Sequence, residues 1–434
     1  MIAPSLARRF FRVRDGSLWI GDISVRDIAE QAGTPCYVYD AGVVRRQYAA
    51  LENAVGGFAE VHYSVKANPN PAVARLLMGL GAGLEVASAA EYECARRAGC
   101  PAQRILFAGP GKTNAELSHV LARGIGEIHV ESENEIARLA AIALDHGGET
   151  NVALRVNPGA AGQGGAMIMG GRSSQFGVDE ERMLNAVDLI AGFPSLRLTG
   201  VHLFAGTQIL ESEALERQWA HGLDLAARVA RHLAVPLETV DLGGGLGIPY
   251  YSNDGALDLE QLAEISARLA GQKSAEPLLA GARVILEPGR FLVGPAGVYL
   301  TSVTDVKVSR GTRFVILDGG MNHHLAASGN LGQVIKKDYP LLAAEHIDTL
   351  DMSPAVVVGP LCTPLDTLGR TTAMPDLKPG DLVSVLQSGA YGLSASPVGF
   401  LSHPMPAEVL VDGGKLTVIR PRGSFGHPIT GVSF

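Results

Sequence analysis

The strongest constraint on this chain is a rhythm. Between residues 61 and 287, short runs rich in aliphatic and β-branched residues alternate with alanine-rich segments. The runs fall at 61–65, 83–87, 104–108, 127–131, 152–156, 198–204, 238–242 and 283–287. Helix-like segments lie between them at 71–81, 90–98, 114–123, 133–146, 180–191, 213–233 and 259–270. Eight strand–helix units in about 230 residues predict an α/β (β/α)8 TIM barrel. A doubly wound parallel sheet competes, but the count of eight favours the barrel. After Glu287 the rhythm stops. Runs at 298–308, 313–317, 355–358, 382–386, 408–411 and 416–419 have little helix between them and predict a mostly antiparallel β-domain. The first residues also read as strands, at 11–13 and 17–20. The expected organisation is therefore N-terminal strands (1–36) packing with the C-terminal domain, a barrel (37–290), and a β-domain (291–434).

A chain of 434 residues with 47% hydrophobic and 18% charged residues can bury a large core. Its net charge of −8 argues against nucleic acid or an anionic membrane as partner. Arg8, Arg9, Arg12 and Arg14 interrupt the N-terminus, so it does not read as a secretory leader, and no segment reads as a membrane span. The four cysteines, Cys36, Cys94, Cys100 and Cys362, form no CxxC pair. That spacing favours neither a disulfide framework nor a metal site and fits a cytoplasmic protein.

In a barrel of this kind, chemistry gathers where strands end at their C-terminal side. Lys66 ends the first strand, just before the turn residues Asn68 and Pro69. A lysine held there has an amine free for Schiff-base chemistry; a solvated surface lysine is the competing reading. The other strand ends carry Glu85 with Ser88, Arg155 with Asn157, residues 202–207, the glycine run 243–247, and Glu287-Pro288-Gly289-Arg290. Glycines after a strand let backbone N–H groups approach a phosphate, although a plain tight turn needs the same residues. A buried glutamate such as Glu287 can hold a proton on a pyridine nitrogen, and Arg290 can bind phosphate. A Pro-Gly turn beside an ordinary ion pair is the alternative there. One amine, two carboxylates, two guanidiniums and a glycine loop suit an anionic, electron-accepting cofactor.

The motifs in order are Tyr63-Ser64-Val65-Lys66-Ala67-Asn68, Glu85-Val86-Ala87-Ser88, Ala108-Gly109-Pro110-Gly111-Lys112-Thr113 and Arg155-Val156-Asn157-Pro158. Residues 200–208, Gly243-Gly244-Gly245, Glu287-Pro288-Gly289-Arg290, Gly359-Pro360-Leu361-Cys362 and Gly389-Ala390-Tyr391-Gly392 follow. Over nearly its whole length the chain resembles the fold-type III pyridoxal-phosphate decarboxylases, the diaminopimelate and ornithine decarboxylase group. The resemblance implies pyridoxal 5'-phosphate carried on Lys66, with Glu287 at the ring nitrogen. Thr207, Gly244, Gly245, Gly289, Arg290 and Tyr391 would hold the phosphate end, while Glu85, Arg155, His202 and Phe204 line the cofactor. It also implies a homodimer with shared active sites, in which Cys362 serves the neighbouring subunit as proton donor. Asp366, Asn322, His403 and Phe400 would lie on the substrate side.

Departures from the family pattern bear on the substrate. Phe204 stands where the family has a ring-stacking histidine. In the diaminopimelate enzymes an arginine follows the Asp-x-Gly-Met-Asn motif for a substrate carboxylate; here that place is Ala326. Thr363 replaces the acid after the cysteine, Gln175 replaces a lysine, and Ser402-His403 replaces arginines before Pro406-Ala407-Glu408. These losses remove the groups that would clamp a free, doubly zwitterionic amino acid. They point to a carrier-protein-tethered amino acid, such as a glutamyl group, in secondary metabolism. A siderophore-type intermediate or diaminopimelate is the alternative substrate. A racemase of the same fold type and a non-enzymatic cofactor-binding protein are the alternative functions.

Overall fold

The computed structural model describes residues 2–159, 167–168, 173–204, 206–331 and 336–425. The chain divides into two compact units. One comprises Gln47–Ile248 and Gly255–Phe291; the other comprises the chain up to Arg46, the short stretch Pro249–Asp254, and the chain from Leu292 on.

The first unit is a closed parallel barrel. Its strands are β1 (Glu60–Ser64), β2 (Gly83–Val86), β3 (Ile105–Phe107), β4 (Glu127–Val130), β5 (Thr150–Asn157), β6 (Leu196–Leu203), β7 (Thr239–Asp241) and β8 (Arg283–Leu286). Each pairs in parallel with the next, and Leu286 of β8 sits opposite Val61 of β1, which closes the ring. Strands covered on both faces have little room for the usual polar alternation. Accordingly Ile105, Leu106 and Phe107 of β3 and Val152, Ala153 and Leu154 of β5 are all buried.

The helices between the strands start where the residues before them can satisfy orphan N–H groups. Asn70 caps Pro71–Gly79, Ser88 caps Ala89–Ala98, and Ser132 caps Glu133–Asp145. Thr113 and Glu116 form a reciprocal capping box on Asn114–Arg123. Asp258 accepts from the N–H groups of Glu260 and Gln261 to start Leu259–Ala275. Each cap contributes about 1 kcal/mol and sets the angle at which a strand end gives way to its helix.

The second unit is built on a long strand, Gly297–Ser309, which pairs antiparallel with Thr312–Leu317, Leu382–Val385 and Cys36–Asp40. Thr312–Leu317 pairs in parallel with Ser353–Val358, and Cys36–Asp40 in parallel with Ala407–Asp412. Among the strands that escape the sequence pattern are Leu341–Ala343 and Thr367–Met374. The second reads Thr-Leu-Gly-Arg-Thr-Thr-Ala-Met, too polar to stand out, and its pairing with Ser353–Val358 is what makes it a strand.

The N-terminal segment departs from the all-strand expectation. Strands Arg12–Arg14, Ser17–Ile20 and Ile23–Ser24 form a small antiparallel sheet, but helices Ala3–Phe10 and Val25–Ala32 flank them. Pro4 pre-sets the backbone of the first helix, and Ser24 caps the second by accepting from the Asp27 N–H. Among the described residues no helix is long and apolar enough to cross a membrane.

Candidate active site

β1 runs straight into a single helical turn, Val65–Ala67, which carries Lys66 at the rim of the barrel. Lys66 Nζ lies 2.9 Å from Glu85 Oε2, and Ser64 Oγ donates to the same oxygen. Glu85 is buried, whereas the Lys66 side chain is 40% exposed. The amine is thus held by a buried carboxylate while the lysine side chain stays partly exposed, as an amine that must meet an incoming carbonyl needs to be.

The glycine run after β7 packs against the ends of two other strands. A Cβ on Gly243 would meet the Leu203 carbonyl oxygen at 2.3 Å, and one on Gly244 would meet the Glu287 carbonyl oxygen at 2.4 Å. Gly243 also has φ of +68°, so no other residue suits the position. The Phe204 ring lies along this turn, its Cδ2 3.2 Å from the Gly243 Cβ position. Gly289 packs beside the lysine turn, since its Cβ would fall 2.8 Å from Ala67 Cβ. Thr207 belongs to a two-residue strand, Gly206–Thr207, paired with Met167–Ile168. Ala205, inside the same motif, lies outside the described residues. Arg290 opens the short helix Arg290–Val293.

Between these points lies a buried polar cluster. His202 Nε2 is 3.4 Å from Glu287 Oε2, and the His202 ring stands 4.3 Å from that of His129. Burial, reinforced by His129 and Arg155, pushes the His202 pKa well below its ordinary value, so the ring is neutral. His129 Nε2 donates to Glu127 at 3.2 Å, and Glu127 Oε2 also takes the hydroxyls of Thr199 and Thr239. Asp241, fully buried, accepts the Gly243 N–H.

A second buried group orients Arg155. Its Nη1 donates to Glu131 Oε1 at 2.9 Å, and its guanidinium lies 5.0 Å from the Phe176 ring centroid. Glu131 also accepts the N–H groups of Gly109 and Gly177. Burial alone would raise the Glu131 pKa, but Arg155 and Lys112 outweigh it and hold the carboxyl below its usual range. Lys112 is itself buried, paired with Glu135 at 2.8 Å and donating to the carbonyls of Gly109 and His129.

The remaining expected residues lie in the second unit. Asp366 is buried, with its two oxygens taken by the N–H groups of Met321 and Leu361. Asn322 contacts the His323 ring at 3.2 Å, and His403 lies near both His323 and Asp366. Cys362 and Phe400 are exposed; Tyr391 is half-buried with φ of +52°.

Five polar residues of this architecture carried no role in the sequence reading: Lys112, Glu127, His129, Glu131 and Asp241. A signal for three of them was present. Glu127, His129 and Glu131 alternate through Glu-Ile-His-Val-Glu, and alternate strand residues share one face. In a buried parallel strand, three inward polar groups in a row are out of place unless they serve a site.

Glu287 Oε1 is buried and has no hydrogen-bond partner. A close-packed glycine turn after a strand, a lysine amine at the barrel rim and a buried carboxylate oxygen awaiting a donor fit pyridoxal 5'-phosphate. Residues 41–294 match the family model described as pyridoxal-dependent decarboxylase, pyridoxal binding domain. This chain belongs to the pyridoxal-dependent decarboxylases. It is 37% identical over 394 residues to the L-glutamyl-[BtrI acyl-carrier protein] decarboxylase of Niallia circulans, covering 90% of this chain and 92% of that one. It is 35% identical to the diaminopimelate decarboxylase of Zymomonas mobilis, covering 95% and 96%. The structure of diaminopimelate decarboxylase from M. jannaschii with L-lysine superposes with a TM-score of 0.85 at 26% identity, over 97% and 96% of the two chains. The decarboxylase is a fold-type III carboxy-lyase that uses pyridoxal 5'-phosphate, on a TIM barrel joined to a β-domain.

Proposed function

We propose that this decarboxylase acts on an amino acid carried as a thioester on an acyl-carrier protein, a glutamyl group being the leading candidate. Charge carries this reading. Ala326 occupies the place of a carboxylate-binding arginine, and burial holds His323 at about 4 and His324 at about 3, so both rings are neutral near pH 7. A free distal carboxylate brought there would lose its hydration without gaining a cation. A thioester-linked chain has no such charge to desolvate. The likeness to the carrier-protein enzyme of Niallia circulans points the same way.

When bound, the cofactor supplies an electron sink for the pair left behind as CO2 departs. The chain supplies the rest. Lys66 holds the cofactor and Glu287 keeps a proton at its ring nitrogen. Thr207, Gly244, Gly245, Gly289, Arg290 and Tyr391 bind its phosphate, while Phe204 and His202 pack along the ring and Arg155 and Glu85 border it. Cys362 returns a proton to Cα from the neighbouring subunit of a homodimer, and Asp366, Asn322, His403 and Phe400 border the substrate. Four free thiols are in keeping with a cytoplasmic setting.

Diaminopimelate decarboxylation is the second reading, favoured by relatives so named at 31–35% identity over most of the chain. The two are separated by kcat/KM for a glutamyl-loaded carrier against free meso-diaminopimelate, scored by CO2 release. The carrier substrate is expected to be preferred by roughly a hundredfold or more, the cost of leaving a charged group unpartnered. Efficient turnover of free diaminopimelate would return the chain to lysine biosynthesis.

A further inference from the structure

We propose that Asp241 is a positioning residue for Glu287, the two carboxyl groups sharing a single proton at the inner end of the barrel site. The inference rests on the cofactor assignment and not on the substrate.

Four buried side chains, His129, His202, Asp241 and Glu287, each present a nitrogen or oxygen within 4.8 Å of the others. The backbone of Gly243 ties the two acids together. Its N–H donates to Asp241 Oδ1 at 2.8 Å, and its carbonyl accepts the Glu287 N–H at 2.9 Å. Asp241 Oδ2 and Glu287 Oε1 are both buried and have no donor. Two carboxylates this close in a dry site cannot both stay ionised. One proton between them gives a donor to the pair and leaves one negative charge to meet the ring nitrogen.

The groups that surround Asp241 are neutral or engaged by other partners. His62 on β1 is neutral, held at about 4 by burial. Glu85 after the middle of β2 is engaged by Lys66 and Ser64. On β4, His129 is turned to Glu127, with its Nε2 still 3.8 Å from Asp241 Oδ2. Arg155 on β5 is bonded to Glu131, and His202 on β6 is neutral. Burial, and then the charge of Glu287 after β8, push the Asp241 pKa well above its ordinary range. The shared proton gives Glu287 a hydrogen-bond donor on one side, and its neighbour aims it.

The test uses the cofactor-free protein. A carboxyl group whose folded pKa is raised stabilises fully below its unfolded pKa and loses that contribution as pH rises through the folded value. Asp241→Asn keeps both the acceptor for Gly243 and a donor to Glu287 but has no proton to lose. Its melting temperature relative to wild type should therefore climb between about pH 4 and neutrality, by a few degrees for a chain of this size. Glu287→Gln makes the same test from the other side, because Asp241 beside a neutral amide ionises more readily. The double variant should gain less than the sum of the two, the repulsion being relieved only once. A protonated-carboxyl band in the infrared spectrum at neutral pH should be present in wild type and absent from Asp241→Asn. A melting difference independent of pH in both single variants, with no such band, overturns the proposal. If Asp241→Asn does not fold, the Glu287→Gln profile and the wild-type band decide it.

Discussion

The acids beside the barrel's lysines and Arg155 and the acid Asp366 of the β-unit are held in opposite ways. In the barrel, Glu85, Glu131 and Glu135 meet cationic side chains, Lys66, Arg155 and Lys112. In the β-unit, the buried Asp366 meets backbone N–H groups, and its neighbours His323 and His324 are neutral. A charge answered by another buried charge gives rigid placement, which a covalently held cofactor requires, at the cost of heavy penalties when one partner is lost. A charge answered by backbone holds a loop in shape and leaves the side chains around it to be chosen for another purpose. Under the proposed function, the difference separates two kinds of information: the chemistry on strand ends, the substrate preference on loops.

Three substitutions probe that contrast. Lys66→Ala should have the largest effect. The protein should fold, because the Lys66 side chain is partly exposed, yet lose its covalent cofactor and essentially all turnover. Borohydride treatment should trap cofactor on the wild-type peptide containing Lys66; a trapped adduct elsewhere removes Lys66 from its role.

Lys112→Met should come next, as a stability effect. It strands Glu135 in the core, where breaking a buried pair costs about 3–5 kcal/mol. Adding Glu135→Gln should recover part of that loss. Urea midpoints that barely move for the single variant would mean that the barrel's buried charges are less rigid than the contrast requires.

Cys362→Ala should be smallest in stability, within about 0.5 kcal/mol of wild type, since the residue is exposed. Its activity should nonetheless fall, and co-expression with Lys66→Ala chains should restore part of it, because a mixed dimer has one site with both residues intact. Mixtures that stay as inactive as either parent, despite proven chain exchange, would confine Cys362 to its own subunit.

The barrel was legible because its cause is local. Eight apolar runs and the caps Asn70, Ser88, Thr113 and Ser132 each act within a few residues of chain. Lys66, Glu85, Arg155, His202 and Glu287 could be named because strand ends are countable. Strand Thr367–Met374 was not legible, since only its neighbour Ser353–Val358 makes its polar residues a strand. The helices flanking the N-terminal sheet were missed even though Pro4 and Ser24 announce them.

The amino-acid sequence by itself determined the period of the barrel, the order of its motifs and the losses at Ala326 and Thr363, because each is a property of residue type at a position. Only the tertiary structure decided the protonation of the site. Whether His202 is neutral, Glu131 charged or Asp241 protonated depends on which groups from β1, β4, β5, β6, β7 and β8 converge in a dry space. That convergence joins residues more than a hundred positions apart, and burial there sets which charges can persist.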